Sequence, residues 1–169
     1  QFKEGDDFPE FSLKNQKDEQ ISKSDLDGQK FILFSYPRAL TPGCTKEVCS
    51  IRDNFTLLEN KGYKIFGISN DPHDKNKKFA DKYELQYDLL SDVNAELLEK
   101  IGAYGEKQMY GNTYMGTIRK SYIVDEKHKV RKIFNKVKTA THGDELLNEI
   151  DQLDLWTYGK RRVNGYEIY

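Results

Sequence analysis

Cysteine is scarce in this 169-residue chain, which carries only Cys44 and Cys49. Two thiols cannot build the multi-disulfide scaffold on which small secreted domains depend. A surplus of one charge is also missing. Lys and Arg number 27 against 28 Asp and Glu, a formal net charge of −1. No global field therefore draws the chain to nucleic acid, to a membrane surface or to an acidic partner. Long apolar runs are lacking too, and none approaches the ~20 residues of a membrane span. No internal repeat and no low-complexity segment is visible. The opening Gln1-Phe2-Lys3-Glu4-Gly5-Asp6-Asp7 is not a signal peptide. It also has no initiator Met, which leaves a removed leader open; the expected address is the cytoplasm, with an organelle or the nucleus as alternatives.

What is present describes a soluble folded domain. Apolar residues make up 37%, charged residues 33% and aromatics 12%, and mean hydropathy is −0.83. This is too aromatic for a disordered polymer and long enough for a real core. Phe8 to Leu13 alternates as a short edge strand, followed by a polar turn over Asn15 to Gln20. Phe31 to Tyr36 and Tyr63 to Ser69 are continuous apolar runs of strand length, as buried central strands require. From Cys44 to about Asn60, Val48, Ile51, Phe55 and Leu58 share one helical face. Further helices are expected from Asp71-Pro72 through Tyr83 and from Asn94 to Ile101, with a short strand at Leu89 to Ser91. Ala103 to Gly116 reads as a long Gly/Tyr-rich loop, a kind that is uncommon unless functional. Ser121 to Asp125 and Val130 to Phe134 form a hairpin, and a last helix runs from Gly143-Asp144 to about Leu153. The order predicts an α/β fold with a mixed sheet and helices on both faces. The domain is expected to span residues 1–153. Residues 154–169, with no clear period and with Lys160-Arg161-Arg162, read as a solvated extension.

Both cysteines stand where a strand gives way to a helix, in Tyr36-Pro37-Arg38-Ala39-Leu40-Thr41-Pro42-Gly43-Cys44-Thr45-Lys46-Glu47-Val48-Cys49. Free N–H groups and the partial positive charge at a helix start favour an anion there, and so favour the thiolate that does chemistry. Thr41 is placed to aim a hydroxyl at the same point, and Pro42 to crowd the sulfur. A metal site is not expected. The spacing is not C-x-x-C, and His73, His128 and His142 lie far off in polar surroundings, reading as surface residues. A thiol–disulfide reductase would normally show C-x-x-C at the helix start; a scaffold using the basic tail is disfavoured by the near-neutral charge.

Pro37-x-x-x-Thr41-x-x-Cys44 resembles the peroxidatic signature of peroxiredoxins. The wider stretch through Glu47, Cys49 and Arg52-Asp53 is similar to the bacterioferritin-comigratory-protein/PrxQ subgroup. So are Gly67-Ile68-Ser69, Leu89-Leu90-Ser91-Asp92, Gly105-Glu106-Lys107 and Gly116-x-x-Arg119. The resemblance implies a thioredoxin-like fold and a thiol-dependent peroxidase acting on hydrogen peroxide or alkyl hydroperoxides, with no cofactor. It implies that Cys44 is the peroxidatic cysteine and that Cys49 resolves its sulfenic acid as an intrachain disulfide. Thioredoxin or a glutaredoxin would then recycle the enzyme. Thr41 would hydrogen-bond the peroxide or the thiolate, Arg119 would stabilise developing negative charge, and Pro42 would shield the pocket. Tyr36, Pro37, Gly43 and Glu47 complete the expected pocket, with Tyr36 equally readable as core. An intrachain resolving thiol removes the need for a partner subunit, so a monomer is expected, with a dimer as the alternative.

Helix geometry constrains this pair. Positions i and i+5 differ by ~7.5 Å in rise and ~140° in azimuth, placing their Cα atoms roughly 8–9 Å apart. A disulfide wants at most ~7 Å. Two reactive thiols at this spacing cannot bond until their helix opens.

Overall fold

The computed structural model describes the backbone of residues 1–165 and the side chains of residues 1–155. A small hairpin of β1 (Ser12–Lys14) and β2 (Gln20–Ser22) precedes β3 (Lys30–Ser35). Helices α1 (Pro42–Asp53) and α2 (Phe55–Asn60) lead to β4 (Tyr63–Ser69). Next come α3 (His73–Tyr83), β5 (Asp88–Ser91) and α4 (Glu96–Lys100). A ribbon of β6 (Tyr104–Met109) and β7 (Asn112–Thr117) follows. Strands β8 (Lys120–Val124) and β9 (Val130–Phe134) and helix α5 (His142–Gly165) complete the chain.

Seven strands form one sheet in the order β2-β1-β5-β4-β3-β8-β9. The central β3, β4 and β5 run parallel, while β8, β9 and the β1–β2 hairpin run antiparallel on the two flanks. Alternation along β3 divides the core. Ile32, Phe34 and Tyr36 pack with Val48 and Ile51 of α1, Phe79 of α3 and Leu146 and Ile150 of α5. Phe31 and Leu33 face the other way, toward Phe8, Leu97, Leu98 and Tyr122. The period of two thus gives the sheet two apolar faces, each covered by helices. On the α1 face Gly67 must lack a side chain, because a Cβ there would lie 2.7 Å from Leu89 Cδ2 and 3.0 Å from Phe34 Cζ.

Four local expectations are corrected. The Phe8–Leu13 strand is only Ser12–Lys14; Phe8 is instead a buried anchor, its ring edge-on to Phe31, and Pro9 has no N–H for a ladder. The Cys44–Asn60 helix starts two residues earlier and breaks at Asn54, whose side-chain amide donates to Ser50 O at 2.8 Å. The Ala103–Gly116 loop is a two-stranded ribbon turned at Tyr110 (φ 52) and Gly111 (φ 82). Such tight turns need positive φ at both central residues, and a tyrosine in the first position disguised the signal. Finally, the last helix runs past Leu153 to Gly165, so the backbone at Lys160-Arg161-Arg162 is helical rather than an irregular tail; residues 166–169 lie outside the described part. Among the described residues no helix is long and apolar enough to cross a membrane.

Candidate active site

Cys44 is the third residue of α1, behind Thr41 as N-cap and Pro42 as the first helical residue. Proline suits that position because its missing N–H would have had no helical partner. The α1 axis starts where β3 ends, so the strand-to-helix loop carries the thiol to the C-terminal edge of the parallel strands, the usual place for a site in such a sheet. The loop is fixed from below: Asp71 Oδ2 accepts from Ala39 N at 2.8 Å and from Ser69 Oγ at 2.9 Å.

The chain returns to this point 75 residues later. Arg119, between β7 and β8, donates from Nη2 to Cys44 Sγ at 3.4 Å and from Nη1 to Glu47 Oε1 at 2.5 Å. Its segment is clamped to β3: Ser35 Oγ donates to Ile118 O at 2.6 Å and accepts from Lys120 N at 3.0 Å. Gly43 makes room for the arginine, since a Cβ there would sit 3.3 Å from Nη2. One guanidinium therefore serves two acids. Its desolvation lowers its pKa, but Glu47 and Cys44 outweigh that, and the net shift is upward.

Cys44 is buried, at 1% exposure, and Glu47 is wholly buried. Burial raises the Glu47 carboxyl to about 7 against the pull of Arg119, and its Oε2 has no partner among the described residues. Pro37, Thr41, Cys44 and Arg119 border an open cleft of about 650 Å³, with Arg38, Lys75, Lys107, Met109, Tyr114 and Met115 on its rim. Thr41 does not donate toward the sulfur. Its hydroxyl proton goes to Arg38 O at 2.8 Å, which leaves the oxygen lone pairs free to accept from an O–H in the cleft.

Four further expectations change. Tyr36 is core rather than cleft wall: it is fully buried, its hydroxyl donates to Asn76 Oδ1 at 2.6 Å, and its ring meets Phe34 and Phe79. Pro42 is exposed and off the cleft wall. Glu47 and Gly43 likewise lie off the cleft wall, each against the Arg119 guanidinium. The histidines are not all superficial: His142 and His128 are buried. Sequence reasoning missed Ser35, Ser69 and Asp71. For Ser35 and Ser69 the available signal was a polar residue inside or at the end of an apolar strand run, which burial obliges to find a partner.

Cys49 sits half-buried on the same unbroken helix, and both thiols are free. Burial raises the Cys49 thiol pKa, with Arg52 opposing. No group of His, Cys, Asp and Glu suited to a metal occurs among the described residues.

A sheet edge that presents a buried thiol at a helix start, with an arginine against the sulfur, defines a thiol-based oxidoreductase of thioredoxin-like fold. The chain belongs to the AhpC/TSA family, which it matches over residues 5–133. Within that family it is a peroxiredoxin of the bacterioferritin-comigratory-protein/PrxQ group, a thiol peroxidase. It is 41% identical over 146 residues to peroxiredoxin Bcp of Escherichia coli K12, covering 86% of this chain and 94% of the relative. The crystal structure of peroxidoxin BcpB from Mycobacterium tuberculosis superposes with a TM-score of 0.79 at 30% identity, covering 90% of this chain and 98% of the other. A Xanthomonas campestris bacterioferritin comigratory protein, solved in connection with its alkyl peroxide reduction activity, gives 0.79 at 26% identity over 84% of this chain and 90% of its own.

Proposed function

We propose that this chain reduces hydrogen peroxide and alkyl hydroperoxides through Cys44, with Cys49 closing an intrachain disulfide. The observation that carries this is the Arg119 guanidinium shared between Cys44 Sγ and Glu47. It stabilises negative charge on the sulfur and on the oxygens in front of it. The Cys44 thiolate attacks the terminal oxygen of the peroxide. The O–O bond breaks, sulfur is oxidised by two electrons to a sulfenic acid, and the displaced oxygen leaves as an alcohol or water after taking up a proton. Thr41 Oγ1 accepts from the peroxide O–H, because its own proton is committed to Arg38 O. Alkyl peroxides are favoured by the likeness to the Xanthomonas campestris protein.

The Cys49 sulfur then attacks the sulfenic sulfur: the S–S bond forms, the S–O bond breaks, and the hydroxyl leaves as water with the proton given up by the Cys49 thiol. Both cysteines lie on one continuous helix, so α1 opens between them at each turnover. An external dithiol, thioredoxin or a glutaredoxin, regenerates the pair by exchange. A monomer suffices for this cycle, and residues 1–153 carry it. Peroxide consumption separates the roles. Cys44→Ser abolishes activity, whereas Cys49→Ser retains one stoichiometric turnover and loses thioredoxin-driven recycling. Full peroxidase activity in Cys44→Ser sinks the mechanism; full recycling in Cys49→Ser removes the resolving role.

A further inference from the structure

The chain has only two methionines, Met109 and Met115, and both border the cleft that holds Cys44. They lie on the β6–β7 ribbon, which pairs with no other sheet. They are 55% and 54% exposed, and the turn residue Tyr110 between them is 97% exposed. Core methionines serve as flexible packing, but these two are spent on an exposed lip. In the register of the ribbon Met109 pairs with Asn112 and Met115 with Glu106. Since successive side chains alternate, the two stand on opposite faces of the ribbon. Tyr114 adds a further apolar surface at the rim.

We propose that Met109 and Met115 form a modification site at which peroxides entering the cleft convert the thioethers to sulfoxides, and that the altered lip then takes up apolar peroxides less well. This rests on the reading that peroxides approach Cys44 through this cleft. The step balances without a further reactant. The thioether sulfur attacks the terminal peroxide oxygen, an S–O bond forms and the O–O bond breaks. Sulfur loses two electrons, the peroxide is reduced to an alcohol, and the displaced oxygen takes the proton from the transferred one. The product is polar where the thioether was apolar, and sulfoxide reductases reverse it. An apolar peroxide in the cleft rests either against Met109 and Tyr114 on one face of the ribbon or against Met115 on the other, within reach of the sulfur it touches, whereas hydrogen peroxide gains nothing from either surface. Oxidation is therefore selective for apolar peroxides.

The test has two arms. In the first, Cys44→Ser is exposed to cumene hydroperoxide or hydrogen peroxide beside N-acetylmethionine amide, and peptides are mapped by mass. The expected result is a cumene-to-hydrogen-peroxide rate ratio severalfold higher at Met109 and at Met115 than for the free compound. A ratio at either residue no higher than that of the free compound overturns the proposal. In the second arm, wild type and Met109→Leu/Met115→Leu are followed through sustained turnover with thioredoxin. Wild type gains one oxygen at each methionine, and its KM for cumene hydroperoxide rises severalfold at nearly constant KM for hydrogen peroxide. Methionine sulfoxide reductase reverses the rise, and the leucine variant shows none. Sulfoxides with an unchanged KM overturn the proposal. Absence of any initial turnover in wild type is a different failure, that of the peroxidase reading on which the proposal stands.

Discussion

Arg119 is the residue on which the site turns, because it is one cation between two acids. Glu47 is the more deeply committed of the two: it is wholly buried, one carboxylate oxygen is bonded to Arg119, and the other has no partner among the described residues. Burial raises its carboxyl from 4.5 to about 7, against Arg119. The sign of the linkage follows. A carboxyl whose folded pKa is raised contributes stability below its unfolded value, and that stability is lost as pH rises through the folded one. The full effect is about 3 kcal/mol. Denaturant unfolding of Glu47→Gln and wild type between pH 4.5 and 7.5 checks this. Wild type is expected to lose stability relative to the variant as pH rises through that window, and parallel curves would remove Glu47 as the titrating group. The variant isolates the slope, since removing the Arg119 pair shifts both ends of the curve.

At the scale of the element, the proposed cycle asks α1 to be firm enough to seat Cys44 and soft enough to open. Several contacts hold the stretch between the thiols. Val48 is fully buried, Glu47 is tied to Arg119, and Tyr87 donates its hydroxyl to Val48 O at 2.7 Å. Just beyond Cys49, Ser50 Oγ accepts from Gly143 N at 2.9 Å, and a Cβ on Gly143 would lie 2.5 Å from Ser50 O. The Tyr87 bond reaches backbone that unwinds in the proposed cycle, while its ring packs near Phe34 and Phe55. Tyr87→Phe keeps the ring and deletes the bond, a net effect of about 0.5–1.5 kcal/mol. If that bond is lost before disulfide closure, the Cys44–Cys49 bond forms roughly two- to tenfold faster after a single peroxide addition. Rapid-quench mass analysis reads the rate directly; a slower or unchanged rate would mean that the helix opens without releasing Tyr87.

Across the whole molecule, α5 meets the sheet at Ser121, two residues past Arg119. His142 makes that joint. Its Nδ1 lies 2.8 Å from Glu145 Oε1 and its Nε2 lies 2.6 Å from Ser121 Oγ. A carboxylate only accepts, so Nδ1 carries the proton and Nε2 receives the Ser121 hydroxyl. Burial lowers the His142 pKa below the usual 6.5, with Glu145 opposing. A base with a depressed folded pKa favours folding above its unfolded value, and that contribution is lost as pH falls through 6.5 and below. Wild type is therefore expected to lose more stability than His142→Gln between pH 7.5 and 5.5 in denaturant unfolding. Equal losses would clear His142 of the acid sensitivity. This dependence opposes that of Glu47, so the two variants move the pH profile in opposite directions.

How much of this was legible in the chain varies with distance along it. The buried strands β3 and β4, the apolar face of α1 and the Cys44 motif were readable, because burial and helix period leave marks within a few neighbouring residues. The β6–β7 ribbon was not, since Tyr110 stands where a glycine or asparagine would have announced the turn. Nor was the burial of His142, whose neighbours Thr141, Gly143 and Asp144 are polar while its partner Ser121 lies 21 residues away. By itself the sequence determined the family motif around Cys44 and a second thiol five residues on, and helix geometry made opening of α1 a condition of joining the two. Only the tertiary structure decided that Arg119 bridges Cys44 and Glu47, that Thr41 can accept but not donate, that Tyr36 belongs to the core, and that both methionines border the cleft. Those facts depend on segments brought together by the sheet order, and such contacts are set by packing across the whole fold rather than by the local preferences that a sequence displays.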